Sequence, residues 1–294
     1  MPETRLLEIK KEAKGLVAHG VSTCAGCGLE LAIRVVLAEL GPRTIIVIPP
    51  GCAALFSGFG KDTALRIAGF QGNLENTAAY AAGIRAGLEA QGKTDITVLG
   101  FAGDGGTVDI GLQSLSGAFE RGDRILYVCY DNEAYMNTGI QGSGSTDLGA
   151  WTTTTPGGKS TRRKDMIQIA AAHRIPYAAS ASVGYVEDLR RKIARARDAG
   201  GPAYIHVHTP CPTGWGFEPD KTIQVAKAAV ETRCWNLYEV ENGQTRLTHA
   251  VRNPKPVQEY LGLQGRFAGL PEESYRSIQR AVDADYTALE GNSR

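Results

Sequence analysis

The chain has 294 residues, is 43% hydrophobic and 21% charged, and carries a formal net charge of +1. That balance suits one large or two modest globular domains and argues against nucleic acid or an anionic membrane as partner. No apolar run is long enough to span a bilayer, and the opening MPETRLLEIKKEAKG lacks the apolar centre of a secretory signal; the expected location is cytoplasmic, with the cysteines reduced, metal-bound or buried.

In chain order, a CxxC pair, Cys24 and Cys27, precedes a helical pattern over Leu29 to Leu40. A short β-branched run, Thr44 to Ile48, reads as a buried strand, and the alanine-rich stretch Asn76 to Gln91 as a helix. Strand and helix then alternate: Ile96 to Phe101, Val108 to Glu120, Ile125 to Tyr130, Lys164 to His173, Pro176 to Ser180, Val186 to Ala199, and Ala203 to His208. Such alternation predicts an α/β fold, a mostly parallel sheet with helices on both faces. After Cys211 the texture changes to a helix over Lys221 to Thr232, a hairpin from Trp235 to Thr248 turning at Glu241-Asn242-Gly243, a short helix and a longer polar one. The expected division is a core domain over residues 1–213 and a C-terminal arm over 214–294, packed on the core or on a partner subunit.

In sheets of this kind ligands bind beyond the carboxyl ends of the strands. Pro49-Pro50-Gly51-Cys52, Gly103-Asp104-Gly105, Asp131-Asn132-Glu133 and Thr209-Pro210-Cys211-Pro212 all fall there. A carboxylate (Asp104) at one strand end and an amide (Asn132) at the next can reach one hard cation, and Mg²⁺ shares oxygen ligands with phosphates. Gly103, Gly105 and Gly106 let backbone approach those phosphates, with the following helix directing its N-terminus at them. The plainer alternative is a tight turn with an aspartate capping a helix.

Four cysteines at one locus, Cys24, Cys27, Cys52 and Cys211, imply zinc or an iron–sulfur cluster, unless Cys52 and Cys211 are buried small residues. Cys129 lies inside a strand and reads as core; Cys234 has no assigned role. His206 and His208 share a face of the last strand and read as core or interface histidines. His19 and Lys159 are loop-borne and carry no firm role.

GDGG followed by DNEAYMNTG resembles the thiamine diphosphate motif. In that motif the Asp and Asn side chains and a backbone carbonyl two residues past the Asn, here that of Ala134, hold Mg²⁺ on the diphosphate. Together, CAGCG, GDGGTVDIGLQSLSGAFERG, DNEAYMNTGIQ, TTTTPGGK and PCPTGW resemble the β subunit of pyruvate:ferredoxin oxidoreductase, over roughly Cys24 to Trp215.

The resemblance implies a thiamine diphosphate-binding fold. It places Gly103, Asp104, Gly105, Gly106, Asn132, Asn137 and Thr138 around the cofactor, and a [4Fe–4S] cluster on Cys24, Cys27, Cys52 and Cys211. The implied activity is CoA-dependent oxidative decarboxylation of a 2-oxo acid, foremost pyruvate, with electrons passed to ferredoxin. Branched-chain 2-oxo acids, phenylglyoxylate or oxalate are alternative substrates, and a non-redox thiamine enzyme or a zinc-stapled scaffold are alternative functions. Asn137 would face the reacting carbonyl as a neutral donor to developing oxyanion charge, or else it merely forms a turn. No glutamate stands where it could activate the aminopyrimidine; Glu75 reads as a helix-start acid. The ferredoxin-type C-x₂-C-x₂-C-x₃-C-P run is absent as well. Partners are therefore implied: an α-type subunit carrying the pyrimidine-binding domain, with γ and ferredoxin-like δ subunits or a fusion of them.

Overall fold

The computed structural model describes residues 15–58 and 63–293. The charged opening stretch lies almost wholly outside them. Eight strands form one sheet in the order β2-β1-β3-β4-β6-β5-β7-β8. They are β1 (Thr44–Ile48), β2 (Ala68–Gln71), β3 (Thr97–Gly103), β4 (Leu126–Asp131), β5 (Tyr177–Ser182), β6 (Ala203–His208), β7 (Leu237–Glu241) and β8 (Gln244–His249). The first six run parallel, and the last two join as an antiparallel hairpin against β5.

The central strands β4, β5 and β6 are buried along their whole length. The run Leu126 to Tyr130 of β4 is accordingly free of charged residues, while β5 and β6 bury Ser180, Ser182, His206 and His208 as well. Helices cover the two faces: α1 (Gly28–Leu40), α2 (Ala54–Ser57), α3 (Thr77–Ala90), α4 (Leu112–Glu120), α5 (Met166–Ala172) and α6 (Val186–Arg197). In α1 the residues Leu29, Ala32, Ile33, Val36, Leu37 and Leu40 repeat at helical spacing and face one core cluster. The second cluster, on the other face of the sheet, gathers Ala78, Val108, Leu115 and Tyr204.

Three features differ from the sequence expectation. Strand β2 was not anticipated, because AGFQ carries no β pattern; all four residues are exposed on the sheet edge, held by backbone pairing to β1. The helix expected from Val108 begins as a single π turn over Gly105–Asp109, closed by the Ile110 N–H on the Gly105 carbonyl at 3.3 Å, and becomes α-helical only at Leu112. Such wide turns recur at functional sites. The hairpin, finally, continues the main sheet; Asn242 and Gly243 both have positive φ (49° and 81°), as a two-residue turn of this hand requires.

Beyond β6 come α7 (Pro212–Trp215), α8 (Thr222–Glu231), α9 (Gln258–Leu261) and α10 (Glu272–Asn292). Trp215, Val225, Trp235, Tyr260 and Phe267 build a third cluster against this end of the sheet. Among the described residues no helix is long and apolar enough to cross a membrane.

Candidate active site at the carboxyl edge of the sheet

Strand order reverses between β1 and β3, and the carboxyl ends of β1, β3, β4 and β6 meet on one edge. Asp104 stands immediately after β3 and Asn132 immediately after β4; both are buried. The amide head of Asn132 lies 2.9 Å from the Ala134 carbonyl oxygen and 3.1 Å from a carboxylate oxygen of Asp104. With the amide oxygen inward, three acceptors face one another without a donor. Only turning the amide over, so that its nitrogen donates to both oxygens, satisfies the group within the protein. Neighbouring oxygens of an octahedral Mg²⁺ at 2.0–2.1 Å stand about 3 Å apart. Both spacings from the Asn132 amide match an edge of such an octahedron, so these residues fit a magnesium ion.

The surroundings lock this arrangement. The Ser143 hydroxyl donates to the other Asp104 oxygen at 2.5 Å. Burial, and then the charge of Asp131, push the Asp104 carboxyl well above its ordinary pKa. A carboxylate so placed calls for a cation. Asp131 pairs with His206 Nε2 at 2.6 Å and accepts from the Ser145 hydroxyl and the Glu133 N–H. Burial works against its charge, but His206 and Ser145 hold it below the ordinary value. Thr146 donates to the Glu133 carbonyl at 2.5 Å, and Gly144 N–H to Asp109 at 2.9 Å. The run Ser143 to Thr146 thus donates to the side chains of Asp104, Asp109 and Asp131 and to the Glu133 carbonyl. Sequence reasoning missed it; its one signal was a string of small hydroxyl residues between two glycine-rich motifs.

Gly105 is a steric requirement. A Cβ there would lie 2.4 Å from the Tyr135 ring, whose hydroxyl donates to the Gly105 carbonyl at 3.0 Å. Gly103 lies under the Tyr130 ring, and Gly106 abuts Leu74. Asn137 and Thr138 occupy an exposed turn; Thr138 bonds Gln141 at 2.6 Å, and the Asn137 side chain has no bond among the described residues. Glu75 sits one residue before Asn76, the N-cap of α3, and Ser114 donates to its carbonyl.

The four cysteines come from three remote segments and converge beside this cradle. Cys27 is the N-cap of α1 and Cys211 the N-cap of α7, where its sulfur accepts from Gly214 N–H at 3.4 Å. Cys24 is exposed, Cys27 and Cys52 are half-buried and Cys211 is buried. Burial, and then charge on Cys211, Cys27 and Cys24, push the Cys52 thiol up to about 12, and Cys211 rises to about 11, again first by burial. Each therefore lies within electrostatic reach of the others. No three His, Cys, Asp or Glu side chains among the described residues close on a point that would hold a single metal ion. Gly26 (φ +71°) shapes the CxxC turn, since a Cβ there would fall 2.1 Å from the Pro219 carbonyl.

Other polar residues of this edge meet partners inside the protein, while the buried His208 Nδ1 and Thr209 hydroxyl have none among the described residues. His206 also meets the Tyr204 hydroxyl at 2.8 Å. Burial pulls His208 down to about 3, so it is a neutral imidazole, set against Tyr260 and the Trp235 ring. Lys159 donates to the Ser143 and Thr146 carbonyls at 3.0 and 2.6 Å. Cys129 is core, and Cys234 is buried in the third cluster.

Residues 50–207 match the family model of the thiamine pyrophosphate enzyme C-terminal TPP-binding domain. The chain is 50% identical over 273 residues to the pyruvate synthase subunit PorB of Methanothermobacter thermautotrophicus, covering 91% of this chain and 95% of that one. It is 47% identical over 282 residues to the ketoisovalerate oxidoreductase subunit VorB of Pyrococcus abyssi, covering 92% and 91%. Its fold is similar to a chain of the 2-oxoglutarate:ferredoxin oxidoreductase of Magnetococcus marinus, with a TM-score of 0.59 at 22% identity over 67% of each chain.

Proposed function

The chain belongs to the thiamine diphosphate-binding β subunits of the 2-oxoacid:ferredoxin oxidoreductases, and from that membership we propose how its residues divide the work. Asp104, Asn132 and the Ala134 carbonyl hold Mg²⁺ on the cofactor diphosphate. The convergence of these oxygens at magnesium-like spacing carries this reading. Gly103, Gly105 and Gly106 keep side chains out of the diphosphate's path, and the π turn presents the first backbone N–H groups of its helix. Bound thiamine diphosphate supplies the electron sink for loss of CO₂ from the 2-oxo acid. Asn137 and Thr138, on their exposed turn, face the reacting end of the substrate once a partner covers it.

Cys24, Cys27, Cys52 and Cys211 hold a [4Fe–4S] cluster. A four-iron cluster takes one thiolate per iron, so its ligands stand further apart than those of one zinc, in keeping with cysteines that feel each other's charge without closing on a point. The substrate is pyruvate, with CoA as acyl acceptor and ferredoxin as electron acceptor. The pyrimidine-activating acid comes from an α-type subunit; γ and ferredoxin-like δ subunits complete the electron path. The test is turnover by the whole complex on pyruvate, 2-oxoisovalerate, 2-oxoglutarate, phenylglyoxylate and oxalate, with CoA and a viologen acceptor. Pyruvate is expected to give the highest kcat/KM. Activity with a different 2-oxo acid alone corrects the substrate, and viologen reduction by this chain alone overturns the division of labour.

A further inference from the structure

Glu133, the one residue between the two loop ligands Asn132 and Ala134, is the anomaly. It has φ +61° and is 1% exposed. A non-glycine residue there is disfavoured and persists only where surrounding contacts over-determine it. Its carboxylate lies 2.7 Å from the Arg266 guanidinium and 3.6 Å from that of Arg163. Arg266 comes from the C-terminal segment and is itself buried. Its guanidinium lies 3.8 Å from the centre of the Trp215 ring, and its Nε donates to Gln264 at 2.9 Å. Trp215 in turn donates its indole N–H to the Asn132 carbonyl at 2.8 Å.

We infer that Arg266 is a positioning residue for the magnesium loop: pairing with Glu133 and stacking on Trp215, it fixes the turn that aims the Asn132 side chain and the Ala134 carbonyl at the metal. The inference rests on the metal site proposed above. The loop must present an amide from one residue and a carbonyl from two residues on, toward one point. Between them the backbone takes a positive φ at Glu133, whose side chain meets Arg266 and Arg163. The carboxyl buried there is matched by the Arg266 guanidinium, whose plane faces the carboxyl group and the indole at once. The C-terminal segment thereby holds the cofactor loop from behind without touching cofactor or substrate. Trp215 also ties that loop to α7, whose N-cap is Cys211.

The test uses the whole complex freed of cofactor, with thiamine diphosphate binding followed by calorimetry as Mg²⁺ is varied. Arg266→Met is expected to raise the Mg²⁺ concentration for half-maximal binding about 10- to 100-fold, the range for removing an outer partner of a metal ligand. At saturating Mg²⁺ and cofactor, kcat should stay within about threefold of the parent, because no reacting atom is touched. Arg266→Lys keeps the charge and loses the planar stack, so a smaller shift in the same direction is expected. A purely structural role would lower Tm and leave the Mg²⁺ requirement in place. An Mg²⁺ requirement within twofold of the parent overturns the inference; should Arg266→Met not assemble, Arg266→Lys decides on the same criterion. Asp104→Ala is run beside them. If it abolishes binding while both Arg266 variants bind as the parent does, the positioning role falls and the metal site stands. If Asp104→Ala binds normally, the metal site falls and the inference with it.

Discussion

At the ends of β3 and β4 the acidic side chains already have partners: Ser143 on Asp104, His206 and Ser145 on Asp131, Arg266 on Glu133, Gly144 and Lys164 on Asp109. A short walk along the same edge, the cysteines meet backbone N–H groups rather than charged or hydroxyl side chains. Cys24 is exposed, the Cys27 sulfur faces the Glu30 and Leu29 N–H groups, and that of Cys211 accepts from Gly214 in its own turn. The first region is held by protein contacts before any ligand enters; in the function proposed above it takes a small ion and a diphosphate. In the second, backbone turns bring four thiols from three segments within electrostatic reach of one another. One residue spans both: Tyr130 lays its ring over Gly103 and accepts the Ala53 N–H, next to Cys52, at 3.2 Å. A pre-held site should tolerate loss of its ligand and fail by loss of a single oxygen, whereas a site closed by its own cluster should lose its shape with the metal.

The sharpest way to separate the two regions is to remove the one charged oxygen donor from the first. Asp104→Ala should abolish Mg²⁺-dependent thiamine diphosphate binding in the complex, because the protein then offers the hard cation only neutral ligands. The iron content and visible absorption of the complex should be unchanged. Calorimetry with thiamine diphosphate decides it, and an affinity equal to the parent's would take Asp104 out of the site.

From the other side, Cys211→Ala should lose or degrade the cluster, while Cys129→Ala, a buried strand residue in the core, should keep it. Iron and sulfide analysis on anaerobically purified complex is the measurement, and equal iron in both variants breaks the assignment. Chelating the iron should loosen residues 21–28 and 49–53 far more than 131–146, which hydrogen exchange would read as lost protection in the first set alone. Zinc in place of iron would overturn the cluster altogether.

How far each region could be read in advance follows from the range of its contacts. The buried strands were legible because full burial imposes an apolar run, as in TIIVI and LYVCYD. Asp104 and Asn132 were legible because glycines and a strand end constrain them locally. Family membership and the sheet architecture follow the expectation drawn from those motifs. Strand β2 was not legible, since only its backbone pairs. Glu133 carries the ambiguity of any acid beside a metal loop; its role depends on Arg266, contributed from the far end of the chain. Ser143 and Thr146 look like ordinary loop residues until Asp104 and Glu133 are seen to need donors.

Lys159 gives the smallest effect and tests how deep the support of the first region runs. From the sequence alone a basic residue in TTPGGK can be a solvated side chain or a contact for an anionic substrate. In the structure its ammonium group bonds the carbonyls of Ser143 and Thr146, the two ends of the run that caps Asp104 and the Glu133 carbonyl. It therefore stands two contacts from the metal oxygens. Lys159→Met removes both bonds and keeps most of the aliphatic stem. Each is worth about 0.5–1.5 kcal/mol at most, and less here because the side chain is partly exposed. The expected result is an Mg²⁺ requirement raised between about twofold and tenfold, with KM for CoA unchanged. A CoA-specific defect, with the Mg²⁺ requirement untouched, would instead make Lys159 a contact for the substrate's phosphates and would confine the pre-held region to the residues that bond Asp104, Asp131 and Glu133 directly.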